Sequence, residues 1–377
     1  MKSLHLDSER TWRGGEQQLV CTVQGLVARG LPAAILAQPD SPLLERARAA
    51  GLDARAFSMR SELDFAAARR LRRLLREETF DILHCHTPHA HAIALASVWR
   101  LPASARPKLV VSRRVDFAVR RRGDLFGLSP LKYNLADRIL AVSEAVRRVL
   151  IRDGVAAEKV VCVREGIDVA RIEQAPARKA EIRQSLGLRE GERLIGNVAA
   201  LTAHKGQCYL LEAIPAIRAA HPNARVVIFG AGELRQELEG QARALGLGDA
   251  LILAGFRSPD EIPSILKALD LFVLSSVEEG LGTSLFDAMA AGAPIVATRA
   301  GGIPEIVRDP ETGLLVEPRN VQALADAVIR LLSDAPLATR LAEAARSFVQ
   351  REGTKERMVE ETIQAYAGVL GREQPRL

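Results

Sequence analysis

Short apolar runs alternate with helical patterns along nearly all of the 377 residues, and this alternation leaves few folds open. In the first half, SLHL, AAILAQ, ARAFS, DILHCH, KLVVS, RILAVS and KVVCV read as strands. RLIGNVA, RVVIFG, LILAGF, LFVLSS, PIVAT and GLLVE repeat the theme in the second half. Helical stretches such as EQQLVCTVQGLVARG, FAAARRLRRLLREE, CYLLEAIPAIRAA, ELRQELEGQARALG, PSILKAL and SLFDAMAAG lie between them. Strands that are apolar on both faces and separated by helices belong in parallel sheets with helices on each side. Two such series predict two doubly wound α/β domains, 1–170 and 171–355. The boundary lies near 168–180, where strand character is lost and Pro176 interrupts. The end of the chain, from Ala323 onward, is purely helical in pattern. In such sheets ligands sit beyond the carboxyl ends of the strands, so residues just after each strand are the functional candidates.

Composition agrees with two cores: 48% of residues are apolar, and a chain of this length exceeds one comfortable domain. No run approaches the length of a membrane span, and MKSLHLDSERTW lacks the apolar region of a signal peptide. Cys21, Cys85, Cys162 and Cys208 are scattered without pairing motifs, as expected of a reduced, cytoplasmic protein. The net charge of +6 is unevenly placed. Residues 1–170 hold 28 Lys and Arg against 19 Asp and Glu, whereas 171–377 hold 24 against 27. The basic excess gathers in RRLRRLLR (69–76), SRR (112–114) and VRRR (119–122), and suits an anionic membrane surface, nucleic acid or an acidic substrate, or simply a solvated face.

Several post-strand segments carry chemistry. Gly14–Gly15–Glu16 opens a helix after the first strand, where exposed N–H groups can approach an anion. His84 and His86 share a strand face, with Cys85 on the opposite one, and His89 and His91 follow Pro88. A metal site there is disfavoured, because Asp81 alone is at hand as a supporting carboxylate. A single strand-end histidine, His86, contacting a polar ligand is the stronger reading, with a purely structural cluster as its rival. Lys205, in AHKG after RLIGNVA, can neutralise a phosphate or remain a solvated loop lysine. Gly230–Ala231–Gly232 starts like a dinucleotide fingerprint but lacks its third glycine, which disfavours a nicotinamide cofactor. Glu279 and Asp287 bracket a strand-to-helix turn. Ser284-x-x-Asp287 fits a capping box, whereas Glu279 precedes the helix and is not explained that way. Paired carboxylates could instead accept hydrogen bonds from sugar hydroxyls.

In their order along the chain these fragments resemble one family. SSVEEGLGTSLFDAMAAGAPIVATRAGGIPEIVRDPETGLLVEP is similar to the signature of the retaining GT-B glycosyltransferases of family 4, the glycosyl transferases group 1, in its E-x(7)-E, AMA-G-P-V and GG-PE elements. The GG-E turn, DILHCHTP, RILAVSEAVRR, EGID and the KG loop extend the likeness over nearly the whole chain. The resemblance implies two Rossmann-like domains facing across a cleft. The first, 1–170, would bind the acceptor and the second, 171–355, the nucleotide sugar, with residues 356–377 crossing back onto the first domain. It places Glu279 by the donor sugar and its phosphate and Asp287 on the ribose hydroxyls. Gly280 and the N–H groups of Leu281, Gly282 and Thr283 fall by the sugar or diphosphate. Lys205 matches the diphosphate clamp, Gly15 the glycine turn opposite, His86 a histidine near the donor sugar, and Arg257 the segment lining the base.

Three positions depart from the pattern. The second acid is Asp287 where the family has Glu, Ala200 stands where it often has an arginine, and the N-G-[IV]-D segment reads Glu165–Gly166–Ile167–Asp168. His204, Arg113 or Arg114 could supply the missing charge. The implied activity is hexosyl transfer from a UDP- or GDP-sugar to a saccharide or lipid-linked acceptor, in cell-surface polysaccharide or lipopolysaccharide synthesis. No metal or other cofactor is required, and the departing phosphate itself assists the acceptor hydroxyl. Arg113, Arg114 and Arg120 are expected on the acceptor side, with Arg120, Arg121 and Arg122 near anionic headgroups at the inner face of the cytoplasmic membrane; nucleic acid is not an expected partner. A nucleotide-sugar 2-epimerase of the same fold, or a silent nucleotide- or saccharide-binding scaffold, are the alternatives.

Overall fold

The computed structural model describes residues 1–118 and 128–371 and divides into two compact units, Met1–Gly166 with Lys355 onward, and Ile167–Thr354. Among the described residues the first unit contains seven strands: β1 (Ser3–Leu6), β2 (Ala33–Ala37), β3 (Asp53–Ala56), β4 (Ile82–Cys85), β5 (Lys108–Arg113), β6 (Arg138–Ala141) and β7 (Val160–Cys162). All pair in parallel, in the order β3-β2-β1-β4-β5-β6-β7. The order reverses direction between β1 and β4, which pair with Ser3 opposite Ile82 and Leu6 opposite Cys85. Strands β1, β2 and β4 are buried along their whole length, which is why their sequences run apolar without alternating.

One core of this unit joins Leu19, Val23 and Leu26 of the helix Gly14–Ala28 to Met358, Val359, Ile363 and Tyr366 of the helix Lys355–Leu370. The two helices pack closely enough that a Cβ on Gly25 would lie 2.4 Å from a methyl of Val359. Two helices that the strand-and-helix pattern did not single out, Pro42–Ala49 and Pro88–Val98, each begin with proline behind a hydroxyl N-cap. Ser41 accepts from Leu44 N–H and Thr87 from Ala90 N–H, and proline costs nothing at a position whose own N–H needs no partner.

The second unit holds β8 (Arg193–Val198), β9 (Ala224–Phe229), β10 (Leu251–Gly255), β11 (Leu271–Leu274), β12 (Ile295–Thr298) and β13 (Leu314–Val316), parallel in the order β10-β9-β8-β11-β12-β13. Its direction reverses between β8 and β11. Leu210, Leu211, Ile214 and Ile217 of the helix Gln207–Ala220 bury against these strands together with Leu324, Val328 and Leu331. The thirteen strands coincide with the thirteen apolar runs of the sequence. No helix among the described residues is long and apolar enough to cross a membrane.

Candidate active site

The switch point of the second unit gathers the strongest constellation. The chain leaves β8 into a short turn holding His204 and Lys205, and leaves β11 into the loop that carries Glu279. The Lys205 ammonium donates to Oε2 of Glu279 at 2.5 Å, and Ser276 Oγ donates to the same oxygen at 3.0 Å. Both partners of this ion pair are largely shielded from solvent, with side-chain exposures of 18% and 11%. Backbone bonds lock the two loops together: the N–H of Val277 donates to the His204 carbonyl at 2.8 Å, and Ser275 Oγ donates to the Lys205 carbonyl at 3.2 Å. Gly206 makes this approach possible. Its φ is +61°, and a Cβ there would sit 2.3 Å from the Ser275 carbonyl oxygen, so no L side chain fits.

Two helices start at this point, Gln207–Ala220 behind Gly206 and Thr283–Ala290 behind Gly282, and neither N-cap supplies a side-chain acceptor. First-turn N–H groups without a cap, beside a lysine, form an environment for a negatively charged oxygen. Gly280, Leu281 and Gly282 are buried in the turn, and Thr283 is partly exposed.

Asp287 does not cap its helix. The helix begins at Thr283 with Gly282 as N-cap, so Ser284 is already inside the first turn and Asp287 falls beyond capping reach. The capping-box expectation fails because the left-handed Gly282, φ +89°, starts the helix earlier than the Ser-x-x-Asp spacing suggests. Among the described residues the Asp287 carboxyl has no hydrogen-bond partner. Burial raises its pKa to about 6, and the Arg171 guanidinium pulls it partly back. Arg171 escaped the sequence reading. It lies in the helix Val169–Gln174, donates to the Pro259 carbonyl, and forms an ion pair with Asp260 at 3.6 Å.

Phe256 projects from the end of β10, 62% exposed, and the neighbouring Arg257 is partly exposed with no hydrogen bond or ion pair among the described residues. Gly230 and Gly232, read as a strand-end glycine turn, fit against backbone: Cβ atoms there would meet the carbonyl oxygens of Ala199 and Leu201 at 1.9 and 2.3 Å. Ala200 therefore lies in a tightly packed turn, its carbonyl accepting from Gln207 Nε2 at 2.9 Å.

In the first unit the polar residues gather at the β1/β4 switch point. His5 and His84 are register partners on β1 and β4, and His86 follows just beyond β4. His5 Nδ1 lies 3.0 Å from His86 Nε2, and His5 Nε2 lies 3.1 Å from Ser3 Oγ. His84 bonds Tyr366 Oη at 2.6 Å and Ser112 Oγ at 2.8 Å. Arg114 closes the cluster, donating to His86 Nδ1 at 3.0 Å and to Glu165 Oε1 at 2.8 Å. Its Cδ would lie 3.6 Å from a Cβ on Gly15, so the glycine turn runs under the guanidinium. Two acids stand close by. Glu16 accepts from Arg13 N–H at 2.6 Å and its pKa is raised by burial; Asp7 is pushed up to about 7 by burial and by the Glu16 charge.

The histidines of 84–91 divide. His89 is exposed on its helix, while His91 is buried beside Tyr133 with Nε2 unpartnered. Cys85 turns to the other face, within reach of the Ala90 carbonyl. His5, His84 and His86 offer nitrogens within 4.8 Å of one another, a metal-like spacing to which the sequence pattern gave no clue for His5. The donor set is unsuited to a cation: arginine only donates, so His86 Nδ1 keeps its lone pair, and in the neutral ring Nε2 carries the hydrogen that a metal would displace. Arg113 is bound up in the scaffold, donating to Tyr133 Oη at 3.2 Å and to the Phe117 carbonyl at 2.7 Å. Arg120, Arg121 and Arg122 lie outside the described residues.

Comparison with known proteins matches residues 12–171 to the family described as Glycosyltransferase Family 4 and residues 178–348 to Glycosyl transferases group 1. An uncharacterized glycosyltransferase of Methanocaldococcus jannaschii is 28% identical over 306 residues, covering 78% of this chain and 76% of that protein. A GDP-mannose-dependent alpha-(1-6)-phosphatidylinositol monomannoside mannosyltransferase of Mycobacterium tuberculosis is 35% identical over 191 residues, but this match spans only 49% of either chain. Among solved structures, Anabaena HepE in complex with UDP and glucose superimposes with a TM-score of 0.84 at 22% identity, covering 98% of this chain and 100% of that one.

Proposed function

The chain belongs to the group 1 and family 4 glycosyltransferases of GT-B fold, and we propose that it transfers a hexose from a UDP- or GDP-sugar to a saccharide or lipid-linked acceptor with retention of configuration. The observation that carries this reading is the Lys205–Glu279 pair at the β8/β11 switch point, set between two helix N-termini without side-chain caps. Lys205 and the first-turn N–H groups near Leu281, Gly282 and Thr283 would hold the diphosphate and stabilise the charge that builds on it as the glycosidic bond breaks. Asp287 would take the ribose hydroxyls, Phe256 and Arg257 the base, and Glu279 the donor sugar.

Among the described residues no base–nucleophile pair stands out beside this constellation. That suits a front-face reaction, in which the leaving phosphate accepts the proton of the attacking hydroxyl. The matched mannosyltransferase and HepE act with GDP-mannose and bind UDP respectively, which supports a nucleoside diphosphate here without selecting the base.

We assign the acceptor to the first unit, with Arg114 at its centre. The exposed Leu63 and Phe65 stand at the start of the helix Phe65–Glu77, which exposes Arg69, Arg70 and Arg73 further along, and this arrangement suits an anionic membrane carrying a lipid-linked acceptor. Binding to anionic vesicles no stronger than to neutral ones would remove the membrane from the proposal. The activity is tested by incubating the chain with UDP-, GDP- and ADP-sugars and a saccharide panel, and reading product anomers by NMR. An α-linked product from an α-donor supports retention, a β-linked product overturns it, and an epimerised nucleotide sugar without acceptor identifies an epimerase.

A further inference from the structure

We propose that Glu165 directly, and His5 through His86, are positioning residues for Arg114, fixing its guanidinium from two sides so that its remaining N–H groups are presented to neutral hydroxyl oxygens of the acceptor. The inference rests on the assignment of the acceptor to the first unit.

The direction of every hydrogen in this relay follows from one fact: arginine can only donate. Arg114 Nη2 points at His86 Nδ1, so Nδ1 accepts and the neutral His86 ring carries its hydrogen on Nε2. That hydrogen points at His5 Nδ1, 3.0 Å away, which must therefore accept as well. His5 then carries its own hydrogen on Nε2 and donates it to Ser3 Oγ. Reversing one ring would set hydrogen against hydrogen at the next contact, so the chain has a single consistent state. All three members are buried: His5 is fully enclosed, His86 is 7% exposed and Ser3 3%. Burial also keeps the rings neutral, with His5 held down to about 3 and His86 well below its ordinary value.

On the other side Glu165 accepts from Arg114 Nε, with side-chain exposures of 12% and 18% for the two partners. Two of the five guanidinium N–H groups are thereby fixed. The pairing also decides what the rest can recognise. Glu165 neutralises the arginine, while burial pushes the nearby Asp7 and Glu16 toward their neutral forms. Such a guanidinium is a poor trap for phosphate and a good directional donor to uncharged oxygen. Both ring nitrogens of His86 have partners within the cluster, and through one of them the ring helps to hold Arg114.

The test begins with the imidazole 15N spectrum of the full chain at pH 7. Nε2–H tautomers at both His5 and His86 are expected; an Nδ1–H tautomer or an imidazolium at His86 overturns the relay. Kinetics then use methyl glycosides as acceptor probes with the donor the enzyme accepts. Ser3→Ala and Glu165→Ala, both milder than replacing His5, should raise the acceptor KM about tenfold with kcat changed less than about threefold. UDP and GDP affinity should be unaltered, and Glu165→Gln, which keeps an oxygen for Nε–H, should recover most of the loss. An unchanged acceptor KM, or an equal loss of nucleotide affinity, sinks the proposal. If no glycoside is glycosylated, the acceptor assignment fails while the spectra still decide the relay.

Discussion

Lys205 and Glu279 stand 74 residues apart in sequence and 2.5 Å apart in space. On the proposed function Lys205 is a diphosphate ligand that a carboxylate holds until the anion arrives, which gives the two residues separable effects. Lys205→Ala should weaken UDP or GDP binding about tenfold or more by calorimetry and leave Glu279 shielded without its counter-charge. Glu279→Gln releases the lysine, so nucleotide affinity should hold or rise while turnover falls about ten- to a hundredfold. Unchanged turnover would remove Glu279 from the chemistry.

Asp287 supplies a pH prediction. Its folded pKa of about 6 lies above the ordinary 3.8, so ionisation is costlier in the folded chain than in the unfolded one. Its contribution to stability is therefore neutral below about pH 4 and becomes unfavourable as pH rises through 6. Asp287→Asn should match the parent near pH 3 and exceed it at pH 7 by up to about 3 kcal/mol in urea unfolding. Nucleotide affinity should move the other way. In the parent it should climb as pH passes 6, because the carboxylate is the better acceptor for a ribose diol, and in the variant it should be lower and flat. An equally pH-independent parent would take Asp287 away from the ribose.

The two glycine turns should respond differently to alanine. At Gly206 a Cβ meets the Ser275 carbonyl at 2.3 Å with φ at +61°, and Gly206→Ala should cost about 2 kcal/mol or more by denaturant unfolding. At Gly15 the nearest atom is Arg114 Cδ at 3.6 Å, an ordinary contact. Gly15→Ala should leave the unfolding midpoint within about 0.5 kcal/mol of the parent and act on substrate affinity alone.

Tyr366→Phe removes a buried hydroxyl from the 2.6 Å bond to His84 Nδ1. The imidazole nitrogen left behind cannot reach water, so a loss of about 1–3 kcal/mol is expected in urea melts. A change smaller than the error of such melts would mean that the ring finds another partner.

Every strand was legible in the sequence, because strands buried on both faces announce themselves as apolar runs with helices between. The residues after them were legible as candidates for the same reason. What stayed hidden depends on register and long-range closure. His5 looked like one polar residue in SLHL until β1 paired with β4 and set it opposite His84. Arg171 drew no attention in a segment read only as the place where strand character fades. The Ser284–Asp287 spacing misled because it cannot register a left-handed glycine two residues before the serine. Tyr366 lay in a long helical pattern whose packing partner no local signal names.

The first unit is assembled from two stretches of chain, Met1–Gly166 and Lys355 onward, with the whole second unit between them. During synthesis every residue of the second unit is therefore added before the helix that seals the first. Until that moment His84 lacks its tyrosine and the helix Gly14–Ala28 shows water the face that later meets Val359, Ile363 and Tyr366. Folding of the amino-terminal half is thus completed last, and a chain ended after Thr354 would hold every residue of its carboxyl-terminal unit while exposing this apolar face to chaperones.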